Sequence, residues 1–207
     1  MGRDPVGCGD AMVDRAQIHQ TAIVEDGVRV GPGTAIWDGA HLRSGAVIGR
    51  DCIIGEKSYV AYDVHIGDRC KLNACVYVCA GVTLEDGVMI AAHTVFTNDP
   101  QPRATTPDLE ELRPSAPGEH TRHTLVREGA SVGANCTIAP GVTLGPWCMV
   151  GMGSVVTRDV AEHTLVQGNP ARVAGKVCAC GEVVARVDPH GVLPAGPHVC
   201  RCGRTTP

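Results

Sequence analysis

The sequence predicts an all-β fold, a coil of short strands whose successive turns stack in parallel, and two observations predict it. An aliphatic residue or phenylalanine recurs at every sixth position from Ile18 to Phe96 and again from Val126 to Val156. Aromatic residues make up only 3% of the chain while glycine occurs 26 times. That composition is too poor in rings for an ordinary sandwich or α/β core but suits narrow, sharply turned corners.

The first run comprises Ile18, Val24, Val30, Ile36, Leu42, Ile48, Ile54, Val60, Ile66, Leu72, Val78, Leu84, Ile90 and Phe96. Two residues earlier sits a small or β-branched residue: Thr34, Ala40, Ala46, Cys52, Ser58, Val64, Cys70, Val76, Val82, Val88 and Thr94. Side chains alternate along a strand, so both positions share the inward face and the residue between them points out. Glycine or a polar residue fills each turn, as in VGPGTAI, LRSGAVI, IGRDCII and IGDRCKL. A helix needs apolar spacing near 3.6, which a period of six does not provide. The second run, Val126, Val132, Ile138, Leu144, Val150 and Val156, has Ala130, Cys136, Val142, Cys148 and Ser154 as inward companions. Cys52, Cys70, Cys136 and Cys148 therefore read as core packing. The outward residues His41, Tyr59, Tyr77 and Val95 recur 18 residues apart and are expected to form a ladder on one face, either meeting a sugar or nucleobase or packing on a neighbouring subunit.

Length and charge narrow the function. A chain of 207 residues fits one main domain with a small appendage. The formal charge of −4 and the absence of a lysine- or arginine-rich block argue against nucleic acid as a partner. No apolar run is long enough to span a bilayer, and the start MGRDPVGCGD has neither the basic nor the apolar region of a secretory signal. The expected location is the cytoplasm. There, eleven cysteines are expected to stay reduced rather than form a disulfide framework.

Between Phe96 and Val126 the repeat gives way to TNDPQPRATTPDLEELRPSAPGEHTRHTL, rich in proline and charge. A long excursion from a rigid coil is uncommon unless it has a function. The expected organisation is a lead-in over residues 1–17, a coil over 18–176 with an inserted loop at 97–125, and a cysteine-rich tail over 177–207.

The repeat is similar to that of the hexapeptide-repeat acyltransferases. The resemblance implies a left-handed parallel β-helix of three strands and about 18 residues per turn, with about six to seven turns here. The hand comes from the resemblance alone, since parallel crossovers generally turn to the right. The stretch GVTLEDGVMIAAHTVFTNDPQPRA, residues 81–104, resembles the subgroup that N-acetylates amino sugars attached to a nucleoside diphosphate. The repeat alone is less specific, since O-acetyltransferases, serine acetyltransferases and γ-class carbonic anhydrases also use it. Residues 129–177, from GASVGANC to PARVAGKV, are similar to the usual ending of these transferases. The resemblance implies a homotrimer with acetyl-CoA in a groove between subunits. By position, Gly133, Ala134, Gly151 and Gly153 would line the pantetheine arm, and Arg158 and Arg172 would lie near the adenine and 3′-phosphate or be solvated surface charges.

Acyl transfer needs a nucleophile, a way to remove its proton and donors for the oxyanion. A sugar amine attacks a thioester readily and needs positioning, whereas a sugar hydroxyl calls for a histidine base. The residues before the loop offer both. By analogy with the subgroup, Asn98 would hold the amine through its amide oxygen. Asp99 would accept from the amine or orient its neighbours. His93 is a base, a ligand contact or an exposed turn residue. Arg103 and Tyr77 are candidates for contacting the nucleotide sugar. A carbonic-anhydrase reading is weakened because Asn98 stands where a His-x4-His pair starting at His93 would place its second histidine, leaving His65 and His93. Two departures from the subgroup fall near the expected sugar site: Cys79 and Ala80 replace an aromatic residue and an acid, and Ala91-Ala92-His93 replaces a glycine-proline turn.

The tail carries Cys178, Cys180, Cys200 and Cys202 as two Cys-x-Cys-Gly turns. Four such thiolates suit one structural zinc ion, with disulfides or an unstructured tail as the alternatives.

Overall fold

The computed structural model describes residues 15–114 and 116–207. The expected lead-in over residues 1–17 lies outside them except for its last three. Among the described residues every regular element is a β-strand, most of them two residues long, because the chain turns a corner every six residues. Residues 18 apart pair in parallel register, Gln17 with Ala35, Ala35 with Ile53, Ile53 with Lys71 and Lys71 with Met89. Stacked in this way, the coils form a β-solenoid with three sheets as its faces. The first face runs from Gln17–Ile18 to Thr164–Gln167, the second from Ile23–Val24 to Val155–Val156, and the third from Arg29–Val30 to Thr143–Leu144.

The corners repeat as strictly as the strands. Gly27, Gly33, Gly39 and Gly45 take positive φ, and at the same six-residue spacing so do Asp51, Lys57, Asp63, Arg69 and Cys75. A left-handed backbone is costly for residues with a Cβ. Here each corner amide also donates to the coil before it: Asp51 N–H to Pro32 O at 2.9 Å, Lys57 to Asp38 at 2.9 Å and Arg69 to Arg50 at 2.8 Å. The ladder thus continues around the bend and holds the strained residue in place.

Inside, both predicted inward positions are closed to solvent from Thr34 and Ile36 onward. The first coil differs: Ile18 is 48% exposed, and Val24 and Val30 are half-buried, because the described residues place no coil beneath them. The core cysteines pack as expected and also bond. Thr34 Oγ1 donates to Gly49 O at 2.7 Å and accepts from Cys52 N–H at 2.9 Å. One coil on, Cys52 Sγ donates to Gly67 O at 3.1 Å and accepts from Cys70 N–H at 3.4 Å. Thiol and hydroxyl do the same work, tying one coil to the corner of the next.

The inserted loop leaves the corner after Val95–Phe96 on the second face and returns at Thr124–Val126 on the third. Met89 pairs with Ser131 and Val95 with Thr137, so the register closes over the excursion. Its neck is fastened by Arg122 N–H to Asn98 O and Thr124 N–H to Gly81 O, both 2.9 Å. Gly81 has φ +85°, and a Cβ there would lie 3.0 Å from Thr121 Cγ2 and 3.1 Å from Arg122 O, so any other residue would be strained in backbone and crowded against the returning strand. The loop is not wholly irregular, since Thr105 bridges Leu112 antiparallel. The last coil is two residues short, with Met149 opposite Leu165. Thr164–Gln167 then pairs antiparallel with Arg172–Val177, which pairs with Val183–Arg186. The first sheet therefore runs on past residue 176 into the tail.

Candidate active site

The loop mouth gathers most of the residues singled out before it. A cavity of about 360 Å³ is lined by Tyr77, Asn98 and Asp99 together with Tyr59, Tyr62, Cys79, Ala80, Phe96, Pro102 and Pro117. A second cavity, of about 610 Å³, shares Asn98 and Asp99 and adds Arg103, Arg113, Glu119 and His120 from the loop. Asn98 Nδ2 donates to Ala80 O at 3.2 Å, 18 residues earlier on the same corner. That bond uses a donor and sets the amide's orientation, leaving Oδ1 as the acceptor for a ligand N–H. Asp99 Oδ1 accepts from Gln101 N–H at 2.7 Å, which shapes the turn into the loop. Arg103 is exposed, and its Nη1 donates to Pro102 O.

The ladder on the second face forms as expected. Tyr59 and Tyr77 stack with ring centroids 5.0 Å apart and planes 6° from parallel, and His41 meets Tyr59 edge-on at 5.5 Å. Arg43 braces it, donating to Tyr59 Oη at 2.7 Å and lying 4.1 Å over the Tyr62 ring. Arg43 Nε is also 2.6 Å from Glu25 Oε1. Glu25 accepts from Ser44 N–H and from His41 Nε2, both at 2.9 Å, and the backbone donor at Ser44 does most to hold its pKa down to about 2. Burial raises the Tyr77 phenol and pushes the Cys79 thiol up to about 12. Cys79 and Ala80 thus give the cavity a small, neutral wall.

His93 stands elsewhere. It takes φ +60° on the corner between the first and second faces, exposed, with its N–H on Ala74 O. Asn135 and Gly153 follow it on that same corner in the next coils, Asn135 N–H donating to Ala92 O and Gly153 N–H to Ala134 O. Within one chain His93 therefore joins the expected acetyl-CoA residues rather than Asn98. Gly153 has φ +70° and open space beside it, whereas a Cβ on Gly133 would lie 2.5 Å from Met152 N and one on Gly151 3.0 Å from Gln167 Cβ. The coil's own packing thus already requires glycine at 133. Arg158 and Arg172 line one small cavity of about 160 Å³ at the shortened last coil. His65 is outward on the third face. Arg113, Glu119 and His120 escaped the sequence reading; for the last two the charged run GEHTRH was the available signal, but without a repeat nothing assigned it a direction.

Coil, loop and cavity define a β-solenoid with a candidate site at its loop mouth, and comparison makes the family assignment. The six-repeat bacterial transferase hexapeptide model matches residues 27–62, 63–98 and 123–158, just over half of the chain, and a hexapeptide repeat of succinyl-transferase matches residues 45–80. The chain belongs to the bacterial transferase hexapeptide family, and the unmatched gap is the inserted loop. It is 44% identical over 81 residues to the dTDP-3-amino-3,6-dideoxy-alpha-D-galactopyranose 3-N-acetyltransferase of Aneurinibacillus thermoaerophilus, covering 39% of this chain and 38% of that protein. It is 27% identical over 169 residues to the bifunctional protein GlmU of Thermosipho africanus, covering 79% of this chain and 31% of that protein. The chain thus spans well under half the length of these curated relatives. Among solved structures, PerB from Caulobacter crescentus in complex with CoA and GDP-perosamine aligns over 79% of this chain and 58% of that one, with 25% identity and a TM-score of 0.44.

Proposed function

We propose that the protein transfers an acetyl group from acetyl-CoA to the amine of a nucleotide-linked amino sugar. The observation that carries this reading is the orientation of Asn98 at the loop mouth, where a committed Nδ2 leaves Oδ1 to accept from an amine. The partial match to an N-acetyltransferase acting on a dTDP-linked amino sugar supports it. The neutral amine attacks the thioester carbonyl carbon, the C–S bond of the tetrahedral intermediate breaks, and the amine's surplus proton ends on the departing CoA sulfur. Asn98 and Asp99 position the nucleophile, and Arg103 and Tyr77 contact the nucleotide sugar. His93 sits beside the acyl donor with Gly133, Ala134, Gly151 and Gly153, while Arg158 and Arg172 meet its phosphates. Because the corner bearing His93 and the corner bearing Asn98 are separated by the strand Val95–Phe96, the proposal includes a homotrimer in which donor and acceptor corners of neighbouring subunits complete each site. It also places the enzyme in the cytoplasm.

The test is turnover of acetyl-CoA with a panel of nucleotide-linked amino sugars and their hydroxyl counterparts, the products identified by mass spectrometry. Amide formation is expected, with Asn98→Ala lowering kcat/KM about 10²-fold, on the scale of lost positioning. Full activity in that variant overturns the role of Asn98. Turnover confined to hydroxyl sugars, with His93→Ala inactive, replaces the reading with O-acetyl transfer.

A further inference from the structure

The tail contains the densest cluster of metal-binding atoms among the described residues, and the proposed acyl transfer does not use it. The four sulfurs of Cys178, Cys180, Cys200 and Cys202 all lie within 4.8 Å of one another, with Cys178 to Cys202 at 3.6 Å and Cys180 to Cys200 at 3.5 Å. Four thiolates at Zn–S distances near 2.3 Å in a tetrahedron stand about 3.8 Å apart, so the cluster already has the dimensions of a closed zinc site.

The backbone shows how the short Cys-x-Cys spacing achieves this. In both turns the first cysteine donates its N–H to the carbonyl four residues on, Cys178 to Glu182 at 2.8 Å and Cys200 to Arg204 at 2.9 Å. The glycine three residues on donates back to that cysteine's carbonyl, Gly181 to Cys178 at 2.8 Å and Gly203 to Cys200 at 2.9 Å. Gly181 and Gly203 take φ +90° and +84°. The two turns are the same knuckle used twice, each presenting one buried and one exposed sulfur.

Apolar packing does not explain why the tail folds. From residue 178 onward only Cys178, Cys200 and Thr206 are buried, while Val192 and Val199 are 60% and 77% exposed. A segment this short with no core needs a covalent or metal staple. Local charge also suits a metal tetrathiolate, whose net charge is negative. Arg204 Nη1 lies 3.8 Å from Cys202 Sγ, and Arg201 pairs with Glu182, which neutralises the one carboxylate touching the cluster.

We propose that these four cysteines bind a single zinc ion in a closed tetrathiolate site that folds the tail and fastens it as a cap beside the last strands of the first sheet. With every coordination position filled by sulfur, the ion has no place for a reacting water, so its role is structural. Nothing here depends on the acyl-transfer reading, and the readouts are independent of activity.

The test begins with metal analysis of the full-length protein purified under reducing conditions, where one zinc per chain is expected. Replacement by Co²⁺ should produce the thiolate-to-metal band in the near ultraviolet and the intense visible bands of a tetrahedral tetrathiolate. Cys180→Ser/Cys202→Ser is expected to lose the metal, while Cys79→Ser, in the solenoid, keeps it. A chelator should expose residues 187–197 to protease and leave the solenoid's Tm in place. Absence of stoichiometric zinc with free thiols, two disulfides in the native protein, or metal retained by the double variant would each overturn the site. Unchanged proteolysis after metal removal would overturn the cap.

Discussion

Glu25 shows how one side chain holds the ladder beside the candidate site. It bonds His41, Arg43 and Ser44, and Arg43 in turn braces Tyr59 and covers Tyr62. Its pKa is held near 2 rather than the ordinary 4.5. A carboxylate with a depressed folded pKa stabilises the fold above its unfolded pKa and loses that contribution as pH falls through the folded one. The Tm advantage of the wild type over Glu25→Gln is therefore expected to be full above about pH 4.5 and to vanish toward pH 2, measured by thermal melts across that window. An advantage that persists unchanged at pH 2 would show that it does not come from the ionised carboxylate, and no advantage at neutral pH would show the contacts to be unimportant to stability. The neighbouring Arg43 was not legible in the repeat pattern, because it lies just past the strand His41–Leu42, outside both the inward positions and the 18-residue ladder.

At the scale of one coil, stability depends on inward side chains that both pack and bond. Cys52 is buried, donates to Gly67 O and accepts from Cys70 N–H. Cys52→Ser keeps a donor and an acceptor at the same place, so its cost is expected to stay within about 1 kcal/mol. Cys52→Val is close in volume but leaves the buried Cys70 N–H without its acceptor and Gly67 O without its donor, at about 1–3 kcal/mol. Denaturant unfolding of the two variants measures the difference, and equal stability would reduce the cysteine to a space-filler. The inward position was legible from the six-residue period; the bonding was not, since it requires knowing which carbonyl lies at the corner of the next coil.

At the scale of the molecule, the solenoid leaves apolar groups at its surface. Tyr77 is 43% exposed, and Leu109 and Leu112 on the loop are about four-fifths exposed (78% and 81%). Such groups on the ladder face and on the loop beside the candidate site fit burial by neighbouring subunits. Sedimentation of the full chain is expected to give three times the 21.6 kDa of one chain. Tyr77→Glu with Leu112→Glu should shift it toward the monomer and lower activity more than Tm. A monomer with full activity would remove the shared-site arrangement.

The sequence by itself determined the coil, its inward residues, the point at which the loop interrupts it and the four cysteines of the tail. Each is a matter of spacing along the chain, and a side chain in a six-residue repeat has only one way to face. What only the tertiary structure decided is which corners these residues occupy. His93 and Asn98 are five residues apart, yet they lie on successive corners at either end of the strand Val95–Phe96, one beside Ala134 and Gly153 and the other at the loop mouth. Arg113 and His120 reach the same cavity as Asn98 because the loop folds back on its own neck. The convergence of four sulfurs likewise depends on how two turns far apart in the chain are brought together, which their spacing alone does not fix. Periodicity fixes direction within a coil, whereas proximity between segments without a repeat is set by how the chain returns to the coil.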